Sequence, residues 1–371
     1  MKIAHVCLSL GKGGAEKLLV DTLPIYVRDG HEMTIIQLSS ILEEPSYIDT
    51  VTKAGIKVIT LSNGGFKNPF LLVKILKLVK RSDFNIYHIH LFPCLYYFSI
   101  ISRLIKMPVM VLTEHSTLNG RRTKEMLQPV EKYIYSKFDA IVAISENVAH
   151  ALKIWIPDVG HKIQVINNGV DIEKFQSAEA YDETYMKTNF NVDQNTIKLM
   201  MASRFSDPKD QPTIIRALQH LPAHFHVFFA GDGDEMEKSI QIAADLKVEN
   251  RVHFLGFRAD IPRLMKTADV NILSSFYEGF SGVTLEGLAS GQSFLGADVS
   301  GINDVVPNRD FLFEGGNEVE LASKIKQIVD NSEYAASLSS IAKSHVLQYD
   351  IRTMIAEHMD LYNSLLHKNQ S

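Results

Sequence analysis

The segment from residue 268 to residue 287 reads ADVNILSSFYEGFSGVTLEG. Its first eight residues have the length and apolar content of a buried strand, a glycine-rich turn follows, and the run after residue 284 suits a helix. In α/β proteins such a turn lies at the carboxyl end of a parallel strand, where ligands bind. The segment therefore predicts an α/β fold with a ligand site at residues 276–287.

Two carboxylates stand eight positions apart in this segment, Glu278 and Glu286. Gly279 and Gly282 allow the backbone to approach a ligand closely. A helix that begins near Ser281 directs free N–H groups and its positive end at the same space, which suits a phosphate. A diphosphate with a hydroxyl-bearing group on each side, as in a nucleotide sugar, fits this layout. The alternative is a solvated helix start with an acidic first turn.

The stretch EGFSGVTLE at residues 278–286 resembles the paired-glutamate signature of retaining glycosyltransferases of the GT-B fold, family 4. The resemblance covers nearly the whole chain, because further similar segments occur in the expected order: GGAE at 13–16, TEHS at 113–116, AISE at 143–146, NGVD at 168–171, Ser203 and Arg204 with Lys209, GDG at 231–233, and VHFLG at 252–256. It implies two Rossmann-like domains whose parallel sheets face a central cleft.

The hydrophobic pattern agrees with two α/β domains, and 371 residues suffice for two domains of about 150 residues each. Strands are predicted at 3–8, 33–37, 57–61, 86–89, 110–114, 140–144 and 162–166, and again at 197–202, 226–230, 252–255, 270–273 and 294–297. The polar residues 176–195 read as a linker. We assign residues 1–170 to an acceptor-binding domain and 171–349 to a donor-binding domain, and the resemblance returns the final helix, 350–371, to the first domain.

Composition excludes several classes of protein. The net charge of −5 gives no basic signal for nucleic acid. With only two cysteines, Cys7 and Cys94, we expect no disulfide framework and a reducing, cytoplasmic location. The N-terminal apolar run is too short for a signal peptide. No apolar run approaches the ~18 residues of a membrane span.

Arg204 and Lys209 follow the predicted strand 197–202 and are the candidate partners of a diphosphate leaving group. The resemblance implies this role for them, together with Glu278 on the donor sugar and Glu286 on the ribose. The alternative for Arg204 and Lys209 is a pair of solvated surface cations. Backbone contacts with the donor are expected from Gly14, Gly256, Phe257, Gly279, Phe280 and Ser281.

His115 follows the predicted strand 110–114, and the resemblance implies that it lies beside the transferring sugar or the acceptor. Otherwise it is a packing residue. One of His88 and His90 is a candidate to line the same site. Arg121 and Arg122 are candidates for the diphosphate of a lipid-linked acceptor.

The sequence offers no Asp-x-Asp pair near the donor loop and no His/Cys cluster with ligand spacing, so we predict no metal and no other cofactor. The expected activity is transfer of a hexosyl or N-acetylhexosaminyl group, with retention, from a nucleotide sugar, UDP-linked by resemblance. The acceptor would be a glycan or lipid-linked glycan of capsule or lipopolysaccharide biosynthesis.

The first domain has lysine-rich helices, from which we expect a peripheral contact with the inner membrane surface. The alternative is that these are ordinary solvated helix faces. The competing functions are a sugar-nucleotide epimerase of the same fold and a non-catalytic nucleotide-sugar-binding module.

Overall fold

The computed structural model describes residues 1–68, 70–117 and 120–368. They divide into two compact units. The first contains Met1–Asn168 and the segment that starts at Ile351, and the second is Gly169–Asp350. Each unit is built on one sheet whose strands all pair in parallel. The predicted pair of Rossmann-like α/β domains is confirmed.

The first domain has a seven-stranded sheet in the order β3-β2-β1-β4-β5-β6-β7. Its elements are β1 (Lys2–Cys7), α1 (Gly14–Arg28), β2 (Glu32–Gln37), α2 (Pro45–Lys53), β3 (Lys57–Thr60), α3 (Phe70–Arg81), β4 (Ile86–His90), α4 (Cys94–Ile101), β5 (Val109–Glu114), α5 (Gln128–Tyr135), β6 (Ala140–Ala143), α6 (Glu146–Trp155) and β7 (Ile163–Val165).

The second domain has a six-stranded sheet in the order β10-β9-β8-β11-β12-β13. Its elements are α7 (Ile172–Gln176), α8 (Glu183–Phe190), β8 (Ile197–Ala202), α9 (Gln211–Ala217), β9 (Phe225–Ala230), α10 (Met236–Asp245), β10 (Val252–Phe254), α11 (Ile261–Thr267), β11 (Val270–Leu273), α12 (Gly282–Ala289), β12 (Ser293–Ala297), β13 (Leu312–Phe313), α13 (Glu318–Asp330) and α14 (Ser332–Val346).

The central strands are buried on both faces, as the apolar runs of a parallel sheet require. The last helix, α15 (Ile351–Lys368), packs on the first domain. Its Tyr362 is fully buried, and the Tyr362 hydroxyl shares a hydrogen bond of 2.5 Å with Nδ1 of His88 on β4. The chain therefore completes the core of the first domain only after it has traversed the second.

Two details differ from the expectation. Residues 176–195 are not a linker, because they include α8 and belong to the second domain, where Met186 is buried. With a single buried side chain, α8 shows no apolar stripe that a sequence pattern could reveal. The strand β13 was also missed, since it has only two residues.

Candidate active site

The loops that follow β8 and β11 form the candidate site of the second domain. These strands are neighbours at the point where the strand order reverses, which is where doubly wound sheets bind ligands at the carboxyl ends of the strands. Arg204 and Lys209 follow β8, and Glu278 follows β11. The two loops are joined by an antiparallel bridge between Lys209 and Ser275.

Asp210, which sequence reasoning did not single out, fixes the relative position of these loops. Its buried carboxylate accepts hydrogen bonds from the Ser274 hydroxyl at 3.0 Å and from the Thr213 N–H at 3.2 Å. Its own N–H donates to the Ser274 carbonyl at 3.0 Å. The available sequence signal was a helix-capping Asp followed by Pro212 in the first turn.

Lys209 and Glu278 form an ion pair, although the sequence assigned them to different parts of the donor. Their side chains are only 17% and 15% exposed, and the Ser275 hydroxyl also donates to Glu278 Oε1 at 2.8 Å. A carboxylate and an ammonium group that are this buried each need a partner, since an unpaired charge there would be costly. The pair thus places one cation and one anion, mutually neutralised, beside the glycine-rich turn.

The turn at residues 278–281 is held by residues 300 and 301. The Glu278 N–H donates to the Ser300 carbonyl, and the Ser281 N–H donates to the Gly301 carbonyl, both at 3.0 Å. Gly301 has φ of 80°, and a Cβ there would lie 2.5 Å from the Glu278 carbonyl oxygen, so only glycine fits. Contact of the Ser281 N–H with the donor stays a prediction, and its hydrogen bond to Gly301 opposes it.

The first turn of α12 supplies other donors. The Ser281 hydroxyl caps the helix by accepting from the Thr284 N–H at 3.2 Å. The N–H groups of Gly282 and Val283 have no acceptor within the described part of the chain, as expected at a helix start. Glu286 lies one turn further along the same helix and is 8% exposed. The cap fixes the start of the helix, where the N–H groups of Gly282 and Val283 stand between Glu278 and Glu286 in the sequence.

The remaining donor-site candidates meet at the ends of β8, β9 and β10. A Cβ at Gly231 would lie 1.9 Å from the Ser203 carbonyl oxygen, so the loop that carries the exposed Arg204 rests against a glycine. The Gly231 N–H donates to the Gly256 carbonyl at 2.8 Å, and Gly256 has φ of 64°. Phe257 is partly buried directly after it. The structure thus brings the predicted base-binding and cation loops together.

Phe280 and Gly279 occupy the turn itself. The ring of Phe280 packs edge-on against Tyr349, with ring centroids 5.9 Å apart. In the first domain, Gly14 opens α1 after the loop that follows β1. A Cβ at Gly14 would meet no heavy atom within 4 Å, so its backbone face is open. The donor contacts predicted for these three residues stay predictions.

Five histidines of the first domain surround one small cavity of about 30 Å³. They come from β1, from β4, from the residue after β5 and from α15: His5, His88, His90, His115 and His358. Burial lowers the pKa of every one of them, to about 3 for His5 and to about 4 for His115 and His358. All five rings are therefore neutral at neutral pH.

His115 is thus part of a buried histidine network. Its Nε2 lies 3.3 Å from Nδ1 of His90, and Nε2 of His90 lies 3.0 Å from Nδ1 of His5. The sequence suggested that one of His88 and His90 lines a site; both line this cavity. The involvement of His5 and His358 was missed, because only tertiary structure brings the two ends of the chain together.

Arg121 and Arg122 are engaged inside the first domain. Nε of Arg121 donates to Glu131 at 2.6 Å, and Arg122 pairs with Glu114 at 3.0 Å with a side chain only 5% exposed. Arg122 also donates to the Ser116 carbonyl at 3.0 Å. Contact with an acceptor diphosphate remains a prediction, and these ion pairs oppose it.

Comparison with known proteins identifies the family. Two family models match, Glycosyltransferase Family 4 over residues 12–174 and Glycosyl transferases group 1 over residues 182–345. The chain belongs to glycosyltransferase family 4. Together the two matches cover both domains, including the Lys209 and Glu278 loops.

Named relatives agree with this assignment. EpsD of Bacillus subtilis (strain 168) is 25% identical over 244 residues, and the match spans 64% of each chain, less than two thirds of EpsD. The UDP-Gal:alpha-D-GlcNAc-diphosphoundecaprenol alpha-1,3-galactosyltransferase of Escherichia coli is 24% identical over 98% of this chain and 96% of its own. The crystal structure of Anabaena Alr3699/HepE in complex with UDP and glucose superposes with a TM-score of 0.83 at 25% identity, covering 97% of this chain and 99% of that one.

No helix within residues 1–68, 70–117 and 120–368 is long and apolar enough to cross a membrane.

The buried histidines make the stability of the first domain of this glycosyltransferase depend on pH. Unfolded histidines take up protons near pH 6.5, whereas the folded rings stay neutral to about pH 4 or below, so the unfolded state binds more protons in this window. Stability should therefore fall as pH drops from 6.5, by up to about 1.4 kcal/mol per pH unit for each histidine. Urea unfolding followed by fluorescence of Trp155, the single tryptophan, reports on this domain.

His358→Gln removes one of these histidines. The slope of the free energy of unfolding against pH should decrease by up to about 1.4 kcal/mol per pH unit. His150→Gln, at an exposed position on α6, is the matched control and should leave the slope unchanged. If the free energy of unfolding of the wild type is the same at pH 7 and pH 5, the conclusion that these histidines are buried and neutral is contradicted.

Proposed function

We propose that this protein is a retaining, metal-independent glycosyltransferase that moves a sugar from a UDP-linked donor to a lipid-linked glycan. The observation that carries the proposal is the buried Lys209–Glu278 ion pair beside the open first turn of α12. The names of the Escherichia coli relative and of the Anabaena complex support the UDP-linked donor, and the former supports an acceptor on a lipid diphosphate.

In this proposal the diphosphate lies against the N–H groups of Gly282 and Val283, where the helix dipole favours negative charge. Arg204 and Lys209 would neutralise the charge that develops on the leaving phosphate oxygen. Lys209 can turn from Glu278 to that oxygen while the Ser275 hydroxyl still holds Glu278 in place. A cation and helix donors together replace the divalent ion that other transferases need.

The two glutamates take the hydroxyl groups on either side of the diphosphate. Glu278 would accept from the donor sugar while the Ser275 hydroxyl holds it in place. Glu286 would accept from the ribose. A carboxylate accepts hydrogen bonds through two oxygens, so each glutamate can bind a pair of sugar hydroxyls. Gly256 and Phe257 border the base in this arrangement.

For the chemistry we infer front-face attack with retention. The bond between the anomeric carbon and the phosphate oxygen breaks, the bond to the acceptor oxygen forms on the same face, and the acceptor proton passes to the departing phosphate oxygen. The protein contributes positioning and charge stabilisation. His115 and Gly14 are assigned to the sugar or acceptor side; Arg121 and Arg122 are left out, because their ion pairs fix them.

The test is a transfer assay with UDP-galactose, UDP-glucose and their N-acetyl forms on a diphospholipid-linked GlcNAc acceptor, with and without EDTA. Glu278→Gln should lower turnover at least about 100-fold, since it removes a charge aimed at the reacting group. Glu237→Gln, exposed on α10, is the matched control and should be silent.

The first-formed product should keep the anomeric configuration of the donor by NMR, and EDTA should change nothing. An inverted product, loss of activity in EDTA, or an active Glu278→Gln variant would each contradict part of the proposal. A C4 or C2 epimer of the donor without a glycosylated product would favour the epimerase. Donor binding without any turnover would favour the binding module.

We also propose that the first domain contacts the anionic inner surface of the membrane through α3, α4 and the turn after α4. Exposed apolar residues there lie among exposed cations: Phe70, Val73, Ile100 and Leu104 with Lys77, Lys80, Arg81, Arg103 and Lys106. α3 packs directly against α4, so these residues belong to neighbouring helices. Such a mixture suits insertion at a lipid headgroup region, as a lipid-linked acceptor would require.

Sedimentation with phosphatidylglycerol vesicles tests this surface. The double variant Lys77→Glu/Lys80→Glu should bind at least about tenfold more weakly, because each cation near an anionic surface contributes about 1 kcal/mol. Lys238→Glu/Lys247→Glu changes the net charge equally in the second domain and should have no effect. Equal binding of the two double variants would rule out this surface.

A further inference from the structure

Three of the five histidines around the cavity of the first domain, His5, His88 and His90, have no role in the proposed transfer reaction. Parallel pairing places His5 on β1 directly opposite His88 on β4, and His90 lies two residues beyond His88. Since alternate residues of a strand share a face, all three rings project to the same side of the sheet. Their ring centroids are 5.0 Å apart for His5 and His88, 4.3 Å for His88 and His90, and 5.3 Å for His5 and His90.

One ring nitrogen of each of these three residues lies within 4.8 Å of the others. Imidazole nitrogens bind zinc at about 2.0–2.1 Å, which puts tetrahedral ligands about 3.4 Å apart. The nitrogens are thus up to about 1.4 Å further apart than zinc ligands, so closing the set needs movements of about 1 Å. No backbone rearrangement is required on this scale, because histidine χ rotations cover it.

One ring nitrogen of this group has no hydrogen-bond partner among the described residues, and a cation would supply one. His5 is 3% exposed, yet its Nε2 has no hydrogen-bond partner among the described residues. The cavity that it lines, about 30 Å³, has room for roughly two water molecules. A buried nitrogen without a partner is rare in a folded protein, and it marks a missing ligand or solvent molecule.

The surroundings supply the second layer of contacts that histidine ligands usually have. His88 lies 2.5 Å from the Thr113 hydroxyl and 2.5 Å from the Tyr362 hydroxyl, so one ring nitrogen can be fixed by hydrogen bonding while the other ligates. His90 can donate from Nδ1 to His115. His358 also lines the cavity, and its Nδ1 donates to the Met354 carbonyl at 2.9 Å, so its Nε2 carries a lone pair.

We propose that His5, His88 and His90 bind one late first-row divalent cation, with Zn²⁺ as the reference ion and cavity water completing its coordination. Three neutral imidazoles without a carboxylate select borderline ions such as Zn²⁺ over Mg²⁺ or Ca²⁺. All three ligands belong to the first domain, and the proposed metal-free transfer assigns none of them a role. The cation would clamp β1 to β4.

The test uses the untagged full-length chain, stripped with chelator and titrated with Zn²⁺ in competition with a chromogenic chelator. We expect about one equivalent of Zn²⁺ to bind, and His5→Gln to weaken binding at least about tenfold. His226→Gln is the matched control: His226 also contacts a histidine ring, His253, at 3.0 Å, but the described residues place no third ligand beside this pair. This variant should bind Zn²⁺ as the wild type does.

Thr113→Val offers a second variant of nearly unchanged volume, which removes the hydroxyl that contacts His88 and should weaken binding about tenfold. Co²⁺ added to the stripped wild type should give the intense visible absorption of a four-coordinate ion. Retention of the weak octahedral spectrum of aqueous Co²⁺, no Zn²⁺ binding, or equal binding by His5→Gln would overturn the proposal. These readouts do not involve sugar transfer, so they stand apart from the proposed function.

Discussion

The parallel arrangement of the strands is the constraint on which both domains depend. In a parallel sheet all carboxyl ends meet at one edge, and the reversal of strand order leaves room there for a ligand. β8 and β11 flank that point in the second domain and carry Arg204, Lys209 and Glu278. β1 and β4 flank it in the first domain, and they carry the three central histidines. The chemistry of the chain is concentrated at these two places.

Within the second domain, the proposed anion site depends on the Lys209–Glu278 ion pair. Lys209 and Glu278 are too buried to remain unpaired, so each stabilises the other in the absence of ligand. In the proposed donor complex, a diphosphate would compete for Lys209, and Glu278 would become available to sugar hydroxyls. Gly301, Ser275 and Asp210 hold the two loops in register, so the exchange needs only side-chain movement.

The sequence predicted all seven strands of the first sheet and five of the six strands of the second, because parallel strands are short apolar runs. It also found the paired glutamates and the cation loop, whose residues are close together along the chain. It did not reveal that Lys209 pairs with Glu278, or that the Ser281 N–H is engaged by Gly301, since these contacts depend on tertiary structure.

The same limit applies to the first domain. Arg121 looked available, yet the buried Glu131, ten residues further along on α5, accepts a hydrogen bond from it. His5 and His358 stand at opposite ends of the chain, and only the return of α15 brings them to one cavity. Local motifs thus predicted which loops carry the candidate residues, whereas long-range pairing decides which of their polar groups already have partners.

The most direct measurement is isothermal titration calorimetry of the full chain with UDP, GDP and ADP, for the wild type and for Glu286→Gln. The account predicts that UDP binds one site in the presence of EDTA and that Glu286→Gln weakens it about tenfold or more, because a charged hydrogen bond to the ribose is lost. Absence of binding for all three nucleotides, or equal UDP affinity of the two proteins, would contradict the assignment of this turn and helix to a nucleotide-sugar donor.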